Sequence, residues 1–520
     1  MKLRAHVHLP LLLVIILTSS TAFLTSSYQL VHPDISDSIG YVQASHQLAR
    51  GEGLAFADPH NRIGRRYYTL YAFKVVHPES PYPYFSFPPA LPLLGAAMER
   101  LVGDPAAVHA LPPLTAALLV AVTCLLGMLL VDRWVGLWAG LALLATPVFL
   151  QFSTAFWSEA PSASFLYLGF ALCTVSLRRP RDDPWAMGLA GVGGLAIGTT
   201  FLMRFSNASA VPALLALVWV AGGRAAFRQW RVIWLISVVA AALVALLIFN
   251  AMYYGGPFAT GYSPIHGWYD QPAFSLAYAF DESFVNGRSV PAIGAELVRD
   301  FGWLLLFALL GVIARPRLVS GWLVSLAVCL LAPYTIYAFA AEGINARFVI
   351  PAWVAVCLLV GRGITAAGTR LPGKAWRWLL GLVLAAGIVR NLPFELARLQ
   401  ARNEATQAQI DQVKQMVAST EPNAVILSYV FNDLIAVYGH RSVLNYRHIS
   451  PYDPVSGAYQ HSEFEGLLVE EINQLLDQGT PVYYILDRDV PLYDSYEILM
   501  QHFKLTPILN GGPIYQVRNP

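Results

Sequence analysis

Long apolar runs separated by short polar loops fill most of residues 9–392. About 20 consecutive apolar residues are needed for an α-helix to cross the hydrocarbon core of a bilayer. The pattern therefore predicts a polytopic α-helical membrane protein with eleven transmembrane helices. The predicted spans are 9–27, 109–131, 134–152, 156–177, 186–203, 208–222, 232–252, 299–314, 319–341, 346–361 and 375–391.

The apolar run at 88–102 is left out of the spans. It is short, opens with Pro88-Pro89 and ends in Glu99-Arg100, so it is predicted to be a helix lying in the membrane interface. Counting it as a span would move four of the later arginine-rich loops, from Arg178 onward, to the opposite side of the membrane. The charge pattern therefore favours the interfacial placement.

Arginine and lysine collect in alternate loops. Because cytoplasmic loops carry the excess of Lys and Arg, the positive loops predict a cytoplasmic N-terminus and an extracytoplasmic C-terminus. An uncleaved first span is favoured over a cleaved signal peptide, since no clear cleavage site follows it. The positive loops hold Lys2 and Arg4, Arg133, residues 178–181, 224–231, 315–317 and 362–377. The main outer segments are 28–108, 253–298 and the C-terminal tail.

Composition supports a membrane location. Hydrophobic residues make up 56% of the chain, charged residues 13%, and the mean hydropathy is +0.51, whereas soluble proteins carry about 25% charged residues. The net charge of +2 gives no argument for nucleic acid as a partner. The sequence has no glycine-rich nucleotide loop and no Cys/His metal spacing. Its cysteines lie in apolar runs, as small core residues do: Cys124, Cys173, Cys329 and Cys357.

Residues 393–520 differ from the rest because their charge density is ordinary. The runs at 424–430 and 481–486 are predicted strands, and residues 463–476 have helical spacing that stops at Gln478-Gly479. Strands alternating with helices predict a small α/β domain. By the loop charges, this domain is extracytoplasmic and residues 1–392 form the transmembrane module.

The first outer segment carries two acids, Asp34 and Asp37, on one predicted helix face with Tyr41. Such a helix is predicted to lie on the bilayer with its apolar face down and its carboxylates toward a cavity. A carboxylate there can act as a general base. Asp34 also fits a helix N-cap, which is its favoured interpretation, and Asp37 equally fits a solvated first-turn acid.

Three further charged residues lie at predicted outer ends of spans. Glu159 follows Ser158, a candidate N-cap, so it either compensates the helix dipole or belongs to a site. Arg204 and Arg347 break the positive-inside pattern, and arginine binds phosphate through charge-assisted hydrogen bonds. The alternatives are snorkelling to lipid headgroups, or structural pairs with Glu342 or Glu159. Two arginines beside two acids favour a site for an anionic ligand.

Aromatic residues crowd both large outer loops, over 67–87 and 253–284. An interfacial aromatic belt accounts for many of them. Sugar rings also stack on such side chains, and the sequence does not separate the two interpretations.

Several short motifs, in order along residues 9–392, together resemble a known superfamily. The chain resembles the GT-C membrane glycosyltransferases, and among them the family 39-like relatives of protein mannosyltransferases and lipid A aminoarabinose transferase. The motifs that carry this resemblance are Asp37-Ser-Ile-Gly-Tyr41, Phe87-Pro-Pro-Ala-Leu-Pro, Thr146-Pro147 followed by Ser158-Glu159, Arg204, Asn250 with Gly-Gly-Pro and Gly-Tyr262, and Ala346-Arg347-Phe348-Val-Ile-Pro351.

The resemblance implies transfer of one sugar from a polyprenyl phosphate to an acceptor hydroxyl at the outer face of a bacterial plasma membrane. The acceptor, which is a glycan, a lipid or a protein, does not transfer from the relatives. This scheme needs no cofactor, although a divalent metal is not excluded. Asp37-Ser38 stands where many relatives have paired acids, which argues against a metal-binding pair there.

The resemblance also implies roles for individual residues. Asp37 would be the general base of an inverting displacement, and Glu159 would position the acceptor or support an arginine. Loop 253–298 would close over the donor. The remaining roles are Asp34 as a third catalytic candidate, Arg347 and Arg204 on the donor phosphate, and Tyr41, Tyr262 and His266 on the substrate.

Two other functions remain as alternatives. A polyprenyl-linked glycan ligase or polymerase would share the outer site and differ in donor length. A lipid flippase or transporter without catalysis is the second. The spans 109–131, 232–252 and 319–341 contain no Asp, Glu, Lys or Arg, which argues against an ion-coupled carrier but not against a flippase.

The topology predicts which introduced cysteines an impermeant maleimide reaches in intact cells. Asp270→Cys and Ser450→Cys, each in a background with the native cysteines changed to serine, are expected to be labelled from outside. Arg181→Cys, in a predicted cytoplasmic loop, is the control and is expected to react only after lysis. Labelling of residue 270 or 450 only after lysis would overturn the orientation.

Overall fold

The computed structural model describes residues 2–31, 36–56, 70, 72–74, 84–261, 273–281, 288–370, 375–428, 431–444, 452–453, 458–459, 464–486, 495–508 and 514–520. Within these ranges the α-helices are α1 (Lys2–Ser27), α2 (Ser36–Arg50), α3 (Ala90–Val102), α4 (Leu111–Leu130), α5 (Arg133–Leu144), α6 (Pro147–Ser153), α7 (Glu159–Arg178), α8 (Pro184–Phe201), α9 (Val211–Gly222), α10 (Trp230–Tyr254), α11 (Ser289–Phe301), α12 (Leu304–Ile313), α13 (Arg317–Thr335), α14 (Ile350–Arg370), α15 (Ala375–Val417), α16 (Asn432–Tyr438), α17 (Phe464–Asp477) and α18 (Ser495–His502).

The strands are short and lie in three groups. Their bounds are β1 (Phe73–Lys74), β2 (Tyr84–Phe85), β3 (Val425–Leu427), β4 (Ser442–Leu444), β5 (Tyr452–Asp453), β6 (Ala458–Tyr459), β7 (Val482–Ile485), β8 (Lys504–Pro507) and β9 (Ile514–Arg518). Short 3₁₀-helices stand at Pro105–Ala110, Phe205–Ala210, Arg224–Arg228, Leu276–Ala279 and Gly343–Val349.

Every predicted span overlaps a helix, and the span 134–152 covers two, α5 and α6. The count of eleven stays a prediction. Six helical segments of the described chain are long and apolar enough to cross a membrane, or seven if α5 and α6, which meet at a 69° bend, form one broken span. The bend follows Thr146, at Pro147, because proline cannot continue the hydrogen bonding of the preceding turn. The apolar parts of α1 and α12 are shorter.

Local sequence signals set where several helices begin. Asp132 caps α5 by accepting hydrogen bonds from the backbone N–H groups of Trp134 and Val135. Asp183 caps α8 in the same way through Trp185. An N-cap carboxylate satisfies backbone donors that the first turn leaves unpaired.

Helix α14 is the central element of the bundle. It packs against α5, α7, α12 and α13. The apolar stretch of membrane-spanning length within Gly343–Thr369 is entirely buried. Glycines let the neighbouring backbones approach closely, since a Cβ on Gly363 would overlap the carbonyl oxygen of Phe307 in α12. A Cβ on Gly311 would meet the carbonyl of Leu359 in α14. Small residues serve this purpose at helix contacts within membranes.

The run at 88–102 forms the 13-residue helix α3, which ends at Gly103 in the left-handed conformation. Its length is about 20 Å at 1.5 Å per residue, too short to span. It packs against α2, and Arg100 caps the end of α2 by donating to the carbonyls of Leu48 and Ala49.

The apolar face of α2 does not lie on the bilayer, and that prediction is wrong. Ile39 and Val42 are buried in a hydrophobic cluster with α3 and the strands β1 and β2. The same cluster continues into Ile410 of α15 and Ile426 of β3. Protein rather than lipid therefore covers this face.

The chain after the bundle forms a mixed sheet with strand order β4-β3-β7-β9-β8. The strands β4, β3 and β7 run parallel, and β9 runs antiparallel to both β7 and β8. The predicted strands and the predicted helix at 463–476 are present as β3, β7 and α17. The domain boundary at 392/393 and the outer location stay predictions, and α15 runs across that boundary.

Helix α15 is tied to the bundle by two side chains. Arg402 donates to the carbonyl of Gln151 and to the hydroxyl of Thr154, at 2.9 and 3.1 Å. Asn403 donates to the carbonyls of Tyr28 and Gln29. These contacts join α15 to the end of α6 and to the chain segment that follows α1.

The close packing of α12 on α14 predicts a specific sensitivity to added volume. Gly363→Ala is expected to lower the free energy of unfolding by about 1–3 kcal/mol, the usual cost of overpacking, measured by thermal unfolding in detergent. Gly321→Ala in α13 is the matched control, because among the described residues its added Cβ meets no atom of another element within 4 Å. Equal stability of the two variants would contradict this packing.

Candidate active site

Four charged side chains predicted from separate parts of the sequence meet in one ion-paired chain. Arg347 Nη2 donates to Asp37 Oδ2 at 2.6 Å, and its Nε lies 2.9 Å from Glu159 Oε1. Arg204 Nη1 donates to the same Glu159 oxygen at 2.5 Å. The order of the chain is therefore Asp37, Arg347, Glu159, Arg204.

Each member stands where a helix starts or a regular element is interrupted. Asp37 is in the first turn of α2, and Glu159 is the first residue of α7. Arg204 directly precedes the 3₁₀-helix Phe205–Ala210, and Arg347 lies in the 3₁₀-helix before α14. Acids at helix starts are favoured by the helix dipole.

Burial makes this chain of charges unusual. The side chain of Glu159 is 1% exposed and that of Arg347 is 7% exposed, whereas Asp37 is 24% exposed. Charges removed from water need partners of opposite sign, because an unpaired buried charge is very costly. Two acids and two arginines balance each other, and the chain opens to solvent most at Asp37.

Three polar atoms of Arg347 and Glu159 are buried without a hydrogen-bond partner among the described residues. They are Arg347 Nη1, Glu159 Oε2 and Arg347 Nε, whose 2.9 Å approach to Glu159 Oε1 is an ion-pair contact without hydrogen-bond geometry. A buried polar atom left unpaired costs about 1–3 kcal/mol, so such atoms are uncommon in folded proteins. The spare donor of Arg347 is suited to an anionic oxygen.

Aromatic rings hold both guanidinium groups. Arg347 Cζ lies 3.8 Å from the centroid of Trp157 and 5.3 Å from that of Phe348. Arg204 Cζ lies 5.1 Å from the centroid of the same Phe348 ring. Cation–π contact orients a guanidinium while leaving its N–H groups available.

The structural pair with Glu159 that the sequence left open is present for both arginines, and Arg347 also pairs with Asp37. Ser158 stands at the N-cap position of α7, but no cap hydrogen bond comes from its side chain. Its hydroxyl instead accepts from Arg204 Nη1 at 3.1 Å. The contacts of Glu159 favour the interpretation that it supports arginines over one in which it touches an acceptor.

Tyr41 lies beside the site, but its ring belongs to the aromatic core. It stacks on Phe87 at 5.1 Å between centroids, meets Phe85 edge-on, and is 4% exposed. Burial raises the pKa of the Tyr41 hydroxyl above its ordinary value. Its predicted contact with substrate therefore requires the hydroxyl rather than the ring face.

Three predicted site residues, Asp34, Tyr262 and His266, lie outside the described residues. The predicted closing loop is described only over 253–261, 273–281 and 288–298. Gly261, at the end of the Asn-Gly-Pro-Gly motif, packs so tightly on the backbone of Ser86 that a Cβ would overlap it. The start of this loop is therefore held against β2 and the chain leading to α3.

Sequence reasoning missed three neutral residues at the site. Trp157 and Tyr334 contact the ion-paired chain, and Ser206 contacts Tyr334. Tyr334 OH accepts from Arg204 Nη2 at 2.8 Å and lies 2.6 Å from Ser206 Oγ. The signal that could have found Trp157 and Ser206 is their position, since each lies two residues from a charged member. Tyr334 has no such neighbour in sequence.

No family model matches the chain, and no curated protein matches it. Among solved structures, ArnT from Cupriavidus metallidurans bound to undecaprenyl phosphate is similar with a TM-score of 0.60 and 14% identity, covering 98% of this chain and 97% of that one.

An archaeal oligosaccharyltransferase from Archaeoglobus fulgidus is also similar, with a TM-score of 0.56 and 12% identity, over 98% of this chain and 74% of that one. These similarities run nearly the whole length of the chain. Together with the long apolar helices, they support an integral membrane protein. The chain has the GT-C fold of these membrane glycosyltransferases, as its motifs predict.

Proposed function

We propose that the protein is a glycosyltransferase that moves a single sugar from a polyprenyl phosphate to an acceptor hydroxyl at the outer membrane surface. The observation that carries the proposal is the ion-paired chain, in which the buried Arg347 has a spare donor and touches the more exposed Asp37. A phosphate site and a base are thus adjacent in a fold shared with ArnT, whose structure contains undecaprenyl phosphate.

The phosphate end of the proposed reaction is Arg347. Negative charge grows on the phosphate as the bond between the sugar and the phosphate oxygen breaks. A preorganised donor in a water-poor site stabilises such charge more strongly than water does. Arg347 Nη1 supplies this donor, and Arg204 adds positive charge on the far side of Glu159.

The acceptor end of the proposed reaction is Asp37. Its carboxylate takes the proton of the acceptor hydroxyl while the hydroxyl oxygen attacks the anomeric carbon from the face opposite the phosphate. One displacement of this kind inverts the configuration of the sugar. General-base assistance of this kind contributes about 10²- to 10⁴-fold in rate.

A polyprenyl-linked glycan ligase is the second candidate. The structural similarity to an oligosaccharyltransferase favours it, because one structure of that protein contains an inhibitory peptide and a dolichol-phosphate. The same phosphate and base positions serve both reactions. The two functions differ in how many sugars the donor carries.

Asp37→Asn is expected to lower transfer by about 10²–10⁴-fold, because an amide cannot accept the hydroxyl proton. The measurement is complementation of a deletion strain, with mass spectrometry of cell-envelope glycans and lipids to score the transferred sugar. Asp104→Asn is the matched control, since Asp104 is an exposed helix cap away from the ion-paired chain. Near-normal transfer by Asp37→Asn, at normal expression and melting temperature, would move the base assignment to Asp34.

Undecaprenyl phosphate is expected to stabilise the purified protein saturably. A ligand present at 100 times its Kd adds about 2.7 kcal/mol to the free energy of unfolding, which is read as a rise in melting temperature. Arg347→Ala is expected to abolish most of this rise. Arg50→Ala is the control, because Arg50 forms an exposed pair with Glu52.

Undecaprenol, which lacks the phosphate, separates headgroup recognition from binding of the lipid tail. Equal stabilisation by undecaprenol and undecaprenyl phosphate would argue against a phosphate site. Absence of any shift in well-folded wild-type protein would contradict the donor assignment and favour the flippase alternative.

A further inference from the structure

The ion-paired chain does not end at Arg204 but continues into two neutral hydroxyl groups. Arg204 Nη2 lies 2.8 Å from the hydroxyl of Tyr334, near the end of α13. That hydroxyl lies 2.6 Å from Ser206 Oγ, in the 3₁₀-helix that follows Arg204. Neither residue belongs to the motifs that resemble the superfamily.

The direction of the first of these hydrogen bonds follows from the donors available. A guanidinium group only donates, so the oxygen of Tyr334 accepts from Arg204. Either hydroxyl can be the donor between Tyr334 and Ser206. The three side chains form one hydrogen-bonded row in the order Arg204, Tyr334, Ser206.

The opposite side of the Arg204 guanidinium holds Glu159. Its Nη1 donates to Glu159 Oε1 at 2.5 Å and to Ser158 Oγ at 3.1 Å. The two ends of one planar fork are thus attached to α7 and to α13. Rotation of this fork would break contacts on both sides at once.

Glu159 transmits the position of Arg204 to Arg347. The single oxygen Oε1 lies within 2.9 Å of Arg347 Nε as well, so the two arginines share it. A shift of Arg204 would leave this carboxylate, which is 1% exposed, with less positive charge around it. The carboxylate would then move with respect to Arg347, whose spare Nη1 is the donor proposed for the phosphate.

The ring of Tyr334 is closely packed. Its ring stacks on Phe348 with centroids 5.0 Å apart and planes 16° apart, and the residue is 6% exposed. Phe348 is the residue after Arg347 and also faces both guanidinium groups. The stacked ring therefore holds the Tyr334 hydroxyl in place against the Arg204 guanidinium group.

We propose that Tyr334, together with Ser206, is a positioning residue that holds the Arg204 guanidinium against Glu159. Through that carboxylate it sets the place where Arg347 meets a phosphate. The inference rests on the proposed function, since the phosphate is that of the proposed polyprenyl donor. Tyr334 acts through Arg204 and does not itself touch the reacting atoms.

The test is the affinity for undecaprenyl phosphate of Tyr334→Phe, which keeps the ring and its stacking but lacks the hydroxyl. A hydrogen bond to a charged group is lost, so the Kd is expected to rise about tenfold. Ser206→Ala is expected to raise it by a smaller factor and serves as the second variant if Tyr334→Phe folds poorly. In an Arg204→Lys background, Tyr334→Phe is expected to have little further effect, because lysine lacks the planar fork.

Tyr483→Phe is the matched control, because this buried tyrosine donates to Glu421 at 2.6 Å in the C-terminal sheet. It loses a comparable hydrogen bond and is expected to leave the Kd unchanged. A wild-type Kd for both Tyr334→Phe and Ser206→Ala would overturn the positioning role while leaving the proposed function intact.

A structure of unliganded Tyr334→Phe by electron cryomicroscopy tests the same inference without any lipid. The contact between Arg204 Nη1 and Glu159 Oε1 is expected to open beyond hydrogen-bond range, about 3.5 Å. An unmoved Arg204 would contradict the inference. If the wild-type protein binds no undecaprenyl phosphate, the proposed function fails, and this measurement still decides the role of Tyr334.

Discussion

The arrangement of the site depends on one constraint, the burial of the Glu159 carboxylate. A carboxylate that is 1% exposed needs compensating positive charge, and two arginines from different parts of the chain supply it at the same oxygen. This requirement brings together the start of α7, the turn after α8 and the 3₁₀-helix before α14. The arrangement of these segments in the candidate site therefore follows from the need to neutralise one buried carboxylate.

The sequence predicted the charged members of the site because charge at a membrane boundary is conspicuous. Glu159, Arg204 and Arg347 each lie at a predicted outer end of an apolar run, and the two arginines break the loop charge pattern. Asp37 lies in the predicted outer segment that follows the first run. Tyr334 and Ser206 could not be found in this way. They are neutral, Tyr334 lies within an apolar run, and tyrosine near a span end is the expected content of an aromatic belt.

The helix positions could also be predicted from the sequence, because each predicted span overlaps a helix. What the pattern could not show is which apolar surface meets lipid and which meets protein. The apolar face of α2 is covered by a core that reaches α15 and β3, and these segments are distant in sequence. The periodicity shows that a helix face is apolar. Whether lipid or protein covers that face depends on contacts that are seen only in the folded chain.

The chain of charges has a direction, and this bears on its chemistry. Arg204 at one end is bound by neutral hydroxyls and an aromatic ring, whereas Asp37 at the other end is the most exposed member. The end at Tyr334 is therefore packed, and the end at Asp37 is open. Arg347 Nη1 and the Nη2 that donates to Asp37 belong to one planar guanidinium group. A phosphate on Nη1 and the Asp37 carboxylate would therefore be held side by side by a single side chain.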